Sequence, residues 1–171
     1  MRMISPMKAW TQSQSDISSE SDISADAISD LGAQDNAIST WSVGANTADD
    51  KKRGILALVS AFRALEDIKV VYINKEDLIN KGFVLQQTEG NTKIEEYKRL
   101  HYDIAQLNAG KLQALADIVL KNVWADNVEV IHKDDLAKWL LSALNENLLT
   151  FDSLEKGFKQ GLAGRIRKLV N

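Results

Sequence analysis

The chain carries two histidines, His101 and His132, and no cysteine. Without thiols there is no disulfide framework, no thiolate metal site and no cysteine nucleophile. Neither histidine has a second histidine or a carboxylate four residues on, the spacing that sets two ligands on one helix face. His101 precedes Tyr102 and Asp103 and reads as a partly exposed polar residue at an element boundary. His132 precedes Lys133, Asp134 and Asp135 and reads as a helix start.

Acidic residues occur as the pairs Asp49-Asp50, Glu66-Asp67, Glu76-Asp77, Glu95-Glu96 and Asp134-Asp135. Adjacent residues on a helix point about 100° apart, so a pair does not build a two-carboxylate site. Four of the pairs stand where helices are expected to begin, and there acids complement the dipole. Glu66-Asp67 stands at an expected helix end, against that rule. The nine glycines form neither of the phosphate-cradling patterns, and no zincin, nucleophile-elbow or calcium-loop spacing occurs. The expected catalytic, cofactor-binding and metal-binding sets are therefore all empty, and no cofactor is implied.

These residues must be positioned by the elements around them. Residues 37–43 alternate, with Ile38, Thr40, Trp41 and Val43, and predict a strand. Asn46 or Thr47 caps a helix with core positions Ile55, Leu56, Leu58, Val59, Phe62 and Leu65. Residues 68–73 predict a second strand, so 37–73 fits a βαβ unit. Asn74 caps a short helix that Gly82 ends. Residues 83–85 are extended, and residues 89–91 form a turn. Thr92 and Glu95 form a capping-box pattern ahead of a helix to about Leu100. Residues 102–107 predict a third strand or an extension of that helix. Asn108 caps a helix to about Asn122. A short strand is expected at 128–131, and Lys133 opens an amphipathic helix to Asn145 through Leu136, Trp139, Leu140 and Ala143. Asp152 caps a last helix. The fold class is α/β or α+β, helix-rich, with a two- to three-strand sheet seeded by the βαβ unit and helices at the C-terminus.

The domain reading is an acidic Ser/Asp-rich segment at 1–35 and one globular domain at 36–171. In the first segment SDIS occurs twice and large apolar groups are few. It reads as a flexible tail or as a weak helix ending at Gly32, whose Asp22, Asp26 and Asp30 repel at i,i+4. Trp10, Ile17, Ile23 and Ile28 are its candidate partner anchors. Met3 and Met7 are alternative start positions.

In residues 155–171 the bases Lys156, Lys159, Arg165, Arg167 and Lys168 stand against Glu155. On a helical wheel the bases scatter, while Leu154, Phe158, Leu162, Ile166 and Leu169 share an arc of about 120°. Gly157, Gly161 and Gly164 share a narrower arc, and each costs about 1 kcal/mol against alanine. That expense points to close approach of another backbone, from this chain or a partner, or to a break in the helix. Net charge is −3, so bulk electrostatics favour neither nucleic acid nor an anionic membrane. No apolar run reaches the length of a secretory core or a membrane span, so the expected location is the cytoplasm.

The leading functional expectation is a non-enzymatic protein that binds another protein, as an accessory subunit, adaptor or immunity-type inhibitor. A second is a nucleic-acid-associated subunit using the basic C-terminal helix. A third is an enzyme with carboxylate-based chemistry outside known motifs. The C-terminal helix also offers a surface for a second copy.

Overall fold

A computed structural model describes residues 1–4, 10–17, 22–45 and 47–170. The chain is mixed α/β with two three-stranded antiparallel sheets and helices at the C-terminus, in agreement with the expected class. The strands are β1 (Arg2–Ile4), β2 (Ile38–Trp41), β3 (Ile68–Val71), β4 (Val84–Gln87), β5 (His101–Ala105) and β6 (Val128–Ile131). The helices are α1 (Ala25–Asp30), α2 (Ala48–Val59), α3 (Lys75–Asn80), α4 (Ala109–Trp124), α5 (Lys133–Asn145) and α6 (Lys156–Val170). Short 3-10 helices occupy Gln14–Asp16, Glu95–Leu100 and Phe151–Ser153.

The sheet orders are β1-β3-β6 and β2-β5-β4. Strand, helix and strand follow one another over 37–73 as expected, but β2 and β3 lie in different sheets, so no βαβ unit forms. β3 instead takes β1 as an antiparallel neighbour, with Met3 opposite Val70. Such a pairing closes a loop of more than sixty residues, which no local pattern encodes.

The chain divides into two compact units. The first is Met1–Thr40, Ile68–Gln86 and Asp103–Val130; the second is Trp41–Asp67, Gln87–Tyr102 and Ile131–Asn171. Residues 1–35 thus fall inside the first unit, and residues 36–171 are shared between the two.

The core of the first unit collects Ile4, Trp10, Ile23, Ala27, Leu31, Val71, Leu78, Phe83, Ile104 and the inner face of α4. Polar ties hold its N-terminal part. Ser24 caps α1 by accepting the Ala27 amide at 3.2 Å. The Gln12 side chain accepts the Ser24 amide at 2.8 Å, and the Trp124 indole donates to the Gln12 carbonyl at 2.8 Å. Arg2 donates to the Leu31 carbonyl at 2.6 Å, at the negative end of α1. Asp117 is buried on α4 and is paired with Lys121 at 2.6 Å.

The second unit is built from α2, α5, α6 and the 3-10 helix Glu95–Leu100. Its core holds Trp41, Ile55, Leu56, Val59, Ile94, Leu136, Leu140, Phe158 and Leu162. Thr47 caps α2 by accepting the Asp50 amide; the alternative cap, Asn46, lies outside the described residues. The helix stops at Val59, short of the Phe62 and Leu65 that the apolar period would include. Ser60 is fully buried at the stop. Its hydroxyl bonds the Ala57 carbonyl at 3.2 Å, lies 2.9 Å from Thr92 Oγ1 and accepts the Lys93 amide at 3.0 Å. Thr92, so engaged, accepts the Ile94 amide rather than forming the capping box with Glu95.

His101 is buried, not partly exposed. Its Nδ1 lies 2.8 Å from Thr88 Oγ1, and its ring meets Trp41 edge-on at 4.9 Å. Gly90 closes over this pair: a Cβ there would strike the Trp41 ring and lie 2.7 Å from His101 Cβ.

Asp67 stands at no helix end, since α2 stops at Val59, and it caps a different helix instead. Its Oδ1 accepts the Lys133 amide at 2.8 Å, and Oδ2 lies 3.5 Å from His132 Nδ1. The Lys133 amide, then His132, hold the Asp67 carboxyl below the usual carboxylate range against some desolvation. A depressed carboxyl stabilises the fold above its unfolded value and loses that contribution as pH falls through its folded value. Asp67→Ala is expected to cost about 0.5–2 kcal/mol at neutral pH, as for a lost N-cap. Denaturant melts should show the gap to wild type closing as the carboxylate is protonated; a gap that persists unchanged in strong acid contradicts the capping role.

On α6 the three glycines differ. A Cβ on Gly157 would lie 2.7 Å from the Arg63 carbonyl oxygen, and one on Gly161 would lie 3.2 Å from Leu65 Cβ. At Gly164 nothing lies within 4 Å. Gly157→Ala is expected to destabilise by about 1–3 kcal/mol through overpacking. Gly164→Ala should stabilise by up to about 1 kcal/mol through helix propensity. Thermal melts of the two variants check the opposite signs; a Gly157→Ala protein as stable as wild type removes the close approach.

Candidate functional site

Two clefts open in the second unit, both bordered by the 3-10 helix Glu95–Leu100. The shallower is lined by Gln87, Thr88, Glu89, Glu95, Glu96, Lys98 and Arg99, and Lys98 is already paired with Glu95 at 2.8 Å. The other has a volume of about 470 Å³ and is lined by three elements.

Helical period explains its walls. Asp49, Lys52, Arg53 and Leu56 on α2 follow the i, i+3, i+4, i+7 spacing that sets residues on one face. Trp139, Ser142, Ala143 and Glu146 repeat the same spacing along α5 and its C-cap. Glu96, Tyr97, Arg99 and Leu100 supply the third side, and Leu148 closes the end. α2 packs against both α5 and the 3-10 helix, so the walls are held by the core beneath them.

The cleft mixes apolar surface with both signs of charge. Leu56 and Ala143 are buried at its floor, while Trp139, Tyr97, Leu100 and Leu148 are half-buried. Burial raises the Tyr97 phenol above its ordinary value; Arg53 opposes this, and Glu96 and Glu146 add to it. The phenol therefore stays protonated and presents a donor at neutral pH. Among the described residues, Lys52, Arg53 and Arg99 enter no salt bridge. Ser142 donates its hydroxyl to Glu146 at 2.6 Å, an i,i+4 bond on an exposed helix end. Among the described residues no group of three or more histidines and acids is placed to hold a metal ion. The arrangement suits non-covalent recognition: an apolar floor, an aromatic face, a phenol donor and two guanidinium groups that enter no salt bridge among the described residues.

None of the partner-binding candidates read from the sequence lines this cleft. Trp10 is buried in the first unit, with its indole donating to Asp30 at 2.6 Å. Ile23 is buried there too, and Ile17 and Ile28 pack half-buried against the same core. Gly157 and Gly161 face the 63–65 segment of their own chain, and Gly164 is open. Of the C-terminal bases, Arg165 pairs with Asp134 at 2.9 Å and Lys159 reaches Asp152 at 3.9 Å. Trp139, read from its spacing as a core residue of α5, is half-buried in the wall of the cleft instead. Its position at the margin of the apolar stripe was the available signal.

Trp10→Ala is expected to cost about 3–5 kcal/mol, as for a large buried aromatic. Denaturant unfolding reads this directly; an unchanged midpoint would release Trp10 from the core and return it to the set of exposed anchors. Among the described residues no helix is long and apolar enough to cross a membrane. Compared with protein-family models, with curated proteins and with solved structures, the chain matches none.

Proposed function

We propose that the protein acts by binding another protein in the cytoplasm, as an accessory subunit, adaptor or immunity-type inhibitor, and that the 470 Å³ cleft of the second unit is its contact surface. One observation carries this reading: Trp139, Tyr97, Arg53 and Arg99 converge on a single concave opening. Tryptophan, tyrosine and arginine dominate the energetics of protein interfaces, because each combines a large apolar or planar surface with directional donors. A pocket floored by Leu56 and Ala143 gives such residues the water exclusion in which they count most. The basic C-terminal helix supports no second reading of comparable weight, since Arg165 and Lys159 are turned to acids of their own unit.

The test is affinity purification of the tagged full chain from its native host, beside Trp139→Ala and Arg53→Ala. A discrete co-purifying protein is expected with wild type. Each variant should weaken its recovery, Trp139→Ala by at least about 2 kcal/mol of binding, as for an interface hot spot. Melting curves exclude unfolding as the cause. A partner retained equally by both variants, or no stoichiometric partner at all, overturns the proposal.

A further inference from the structure

Each three-stranded sheet has two edge strands, and an edge offers its main-chain groups to any further strand. Three of the four edges are guarded by charge. β1 holds Arg2, and β6 holds Glu129, which accepts the Tyr72 phenol at 2.7 Å. On β2 the Ser39 carbonyl is already bonded by Arg2 at 2.9 Å. β4 has no such guard. Residues 83–88, FVLQQT, hold no charge, glycine or proline, and Val84, Gln86 and Gln87 are exposed. The Thr88 amide donates to the His101 carbonyl of β5 at 3.4 Å. Main-chain groups alternate in direction along a strand, so those of Val84 and Gln86 also face β5, and those of Leu85 and Gln87 face the edge. Among the described residues no other segment bonds the Leu85 or Gln87 main chain on that side.

We propose that β4 pairs with the β4 of a second copy of this chain, antiparallel and centred on Gln86, joining two β2-β5-β4 sheets edge to edge. In that register Leu85 of each copy lies opposite Gln87 of the other. Two residues per copy, each with one N–H and one C=O, then exchange four hydrogen bonds and leave none of these edge groups unmet. Moving the centre to Leu85 would set Gln87 against Phe83, whose amide is already given to the Leu78 carbonyl. Charge selects the second copy and its direction. Along the pairing run every opposed side chain is uncharged, so no like charges meet. Beyond its ends stand the exposed Lys81 and Glu89, of opposite sign. Antiparallel pairing brings each toward the opposite sign on the other copy, whereas parallel pairing sets like beside like. The net charge of −3 per chain adds only weak repulsion, screened within about 8 Å at physiological salt. The contact is short, so the dimer is weak and forms with rising concentration. No lining residue of the 470 Å³ cleft belongs to β4, so this inference stands independently of the reading above.

The experiment is sedimentation of the full chain over a wide range of concentration, with amide hydrogen exchange followed by nuclear magnetic resonance at both ends of the range. Wild type is expected to pass from monomer to dimer as concentration rises, and the Leu85 and Gln87 amides to exchange more slowly in the dimer. Gln86→Lys and Gln86→Glu each set like charges directly opposite across the two-fold axis and should weaken self-association by up to about fivefold. An equal mixture of the two variants should associate more tightly than either alone. Gln86 is exposed, so melting curves of both variants should match wild type. A monomer at every concentration overturns the proposal. So does a dimer that leaves exchange at Leu85 and Gln87 unchanged, or a mixture no tighter than its components. If the chain stays monomeric and those two amides slow only in complex with a host protein, the edge takes that protein's strand and the second copy is refuted.

Discussion

The second unit depends on the backbone that follows α2. In residues 60–67 the chain leaves a helix and fixes three other elements in quick succession. Ser60, buried without charge, accepts the Lys93 amide and so sets the start of the 3-10 helix that forms one wall of the cleft. Arg63 and Leu65 receive α6 at a distance that only glycine allows at position 157. Asp67 supplies the N-cap that α5 lacks, because His132 at its cap position makes no side-chain cap bond. An extended or helical course through this segment would misplace all three contacts together. The cleft is therefore a consequence of a connector that contributes no residue to its lining.

Such a connector is poorly legible in a sequence. Its residues, SAFRALED, continue the apolar period of α2 through Phe62 and Leu65, and local spacing extends the helix accordingly. What stops the helix is a hydroxyl engaged by residues more than thirty positions away. Elements whose ends are set locally read well. Asn74, Asn108 and Thr47 each cap the helix after them through their own side chains, and α5 keeps the bounds its period gives. The sheets read less well, because strand identity is local and strand pairing is not. β2 and β3 were recognisable as strands, but nothing within 37–73 assigns them to separate sheets.

The acidic N-terminal segment shows the same limit from the other side. Its composition predicts a tail because few large apolar groups are available to offset the entropy of ordering. The structure supplies bonds that composition does not count. The Asp30 carboxylate accepts the Trp10 indole and the Gln12 backbone carbonyl accepts the Trp124 indole, so this segment satisfies the donors of two large aromatic rings. In the cleft, likewise, Trp139 had the right spacing for a core residue and only its marginal place in the stripe distinguished it. Arg53 and Arg99 carried no motif, since a cleft assembled from three separate elements leaves none.

Arg53 stands four residues after Asp49 and three after Asp50, the spacing at which an acid and a following base support each other on a helix. Asp50, its near neighbour, is held below the usual carboxylate range first by the Thr47 hydroxyl and only last by Arg53. The capping geometry would therefore survive without that charge. Tyr97 gains nothing from it in stability, since burial already keeps the phenol neutral at working pH. Arg53 is the sixth residue of α2, beyond the first turn in which the dipole acts, so its charge costs the helix little. Neither the Thr47 cap nor the Tyr97 phenol needs Arg53, so its place in the lining of the cleft is not explained by the folding of α2.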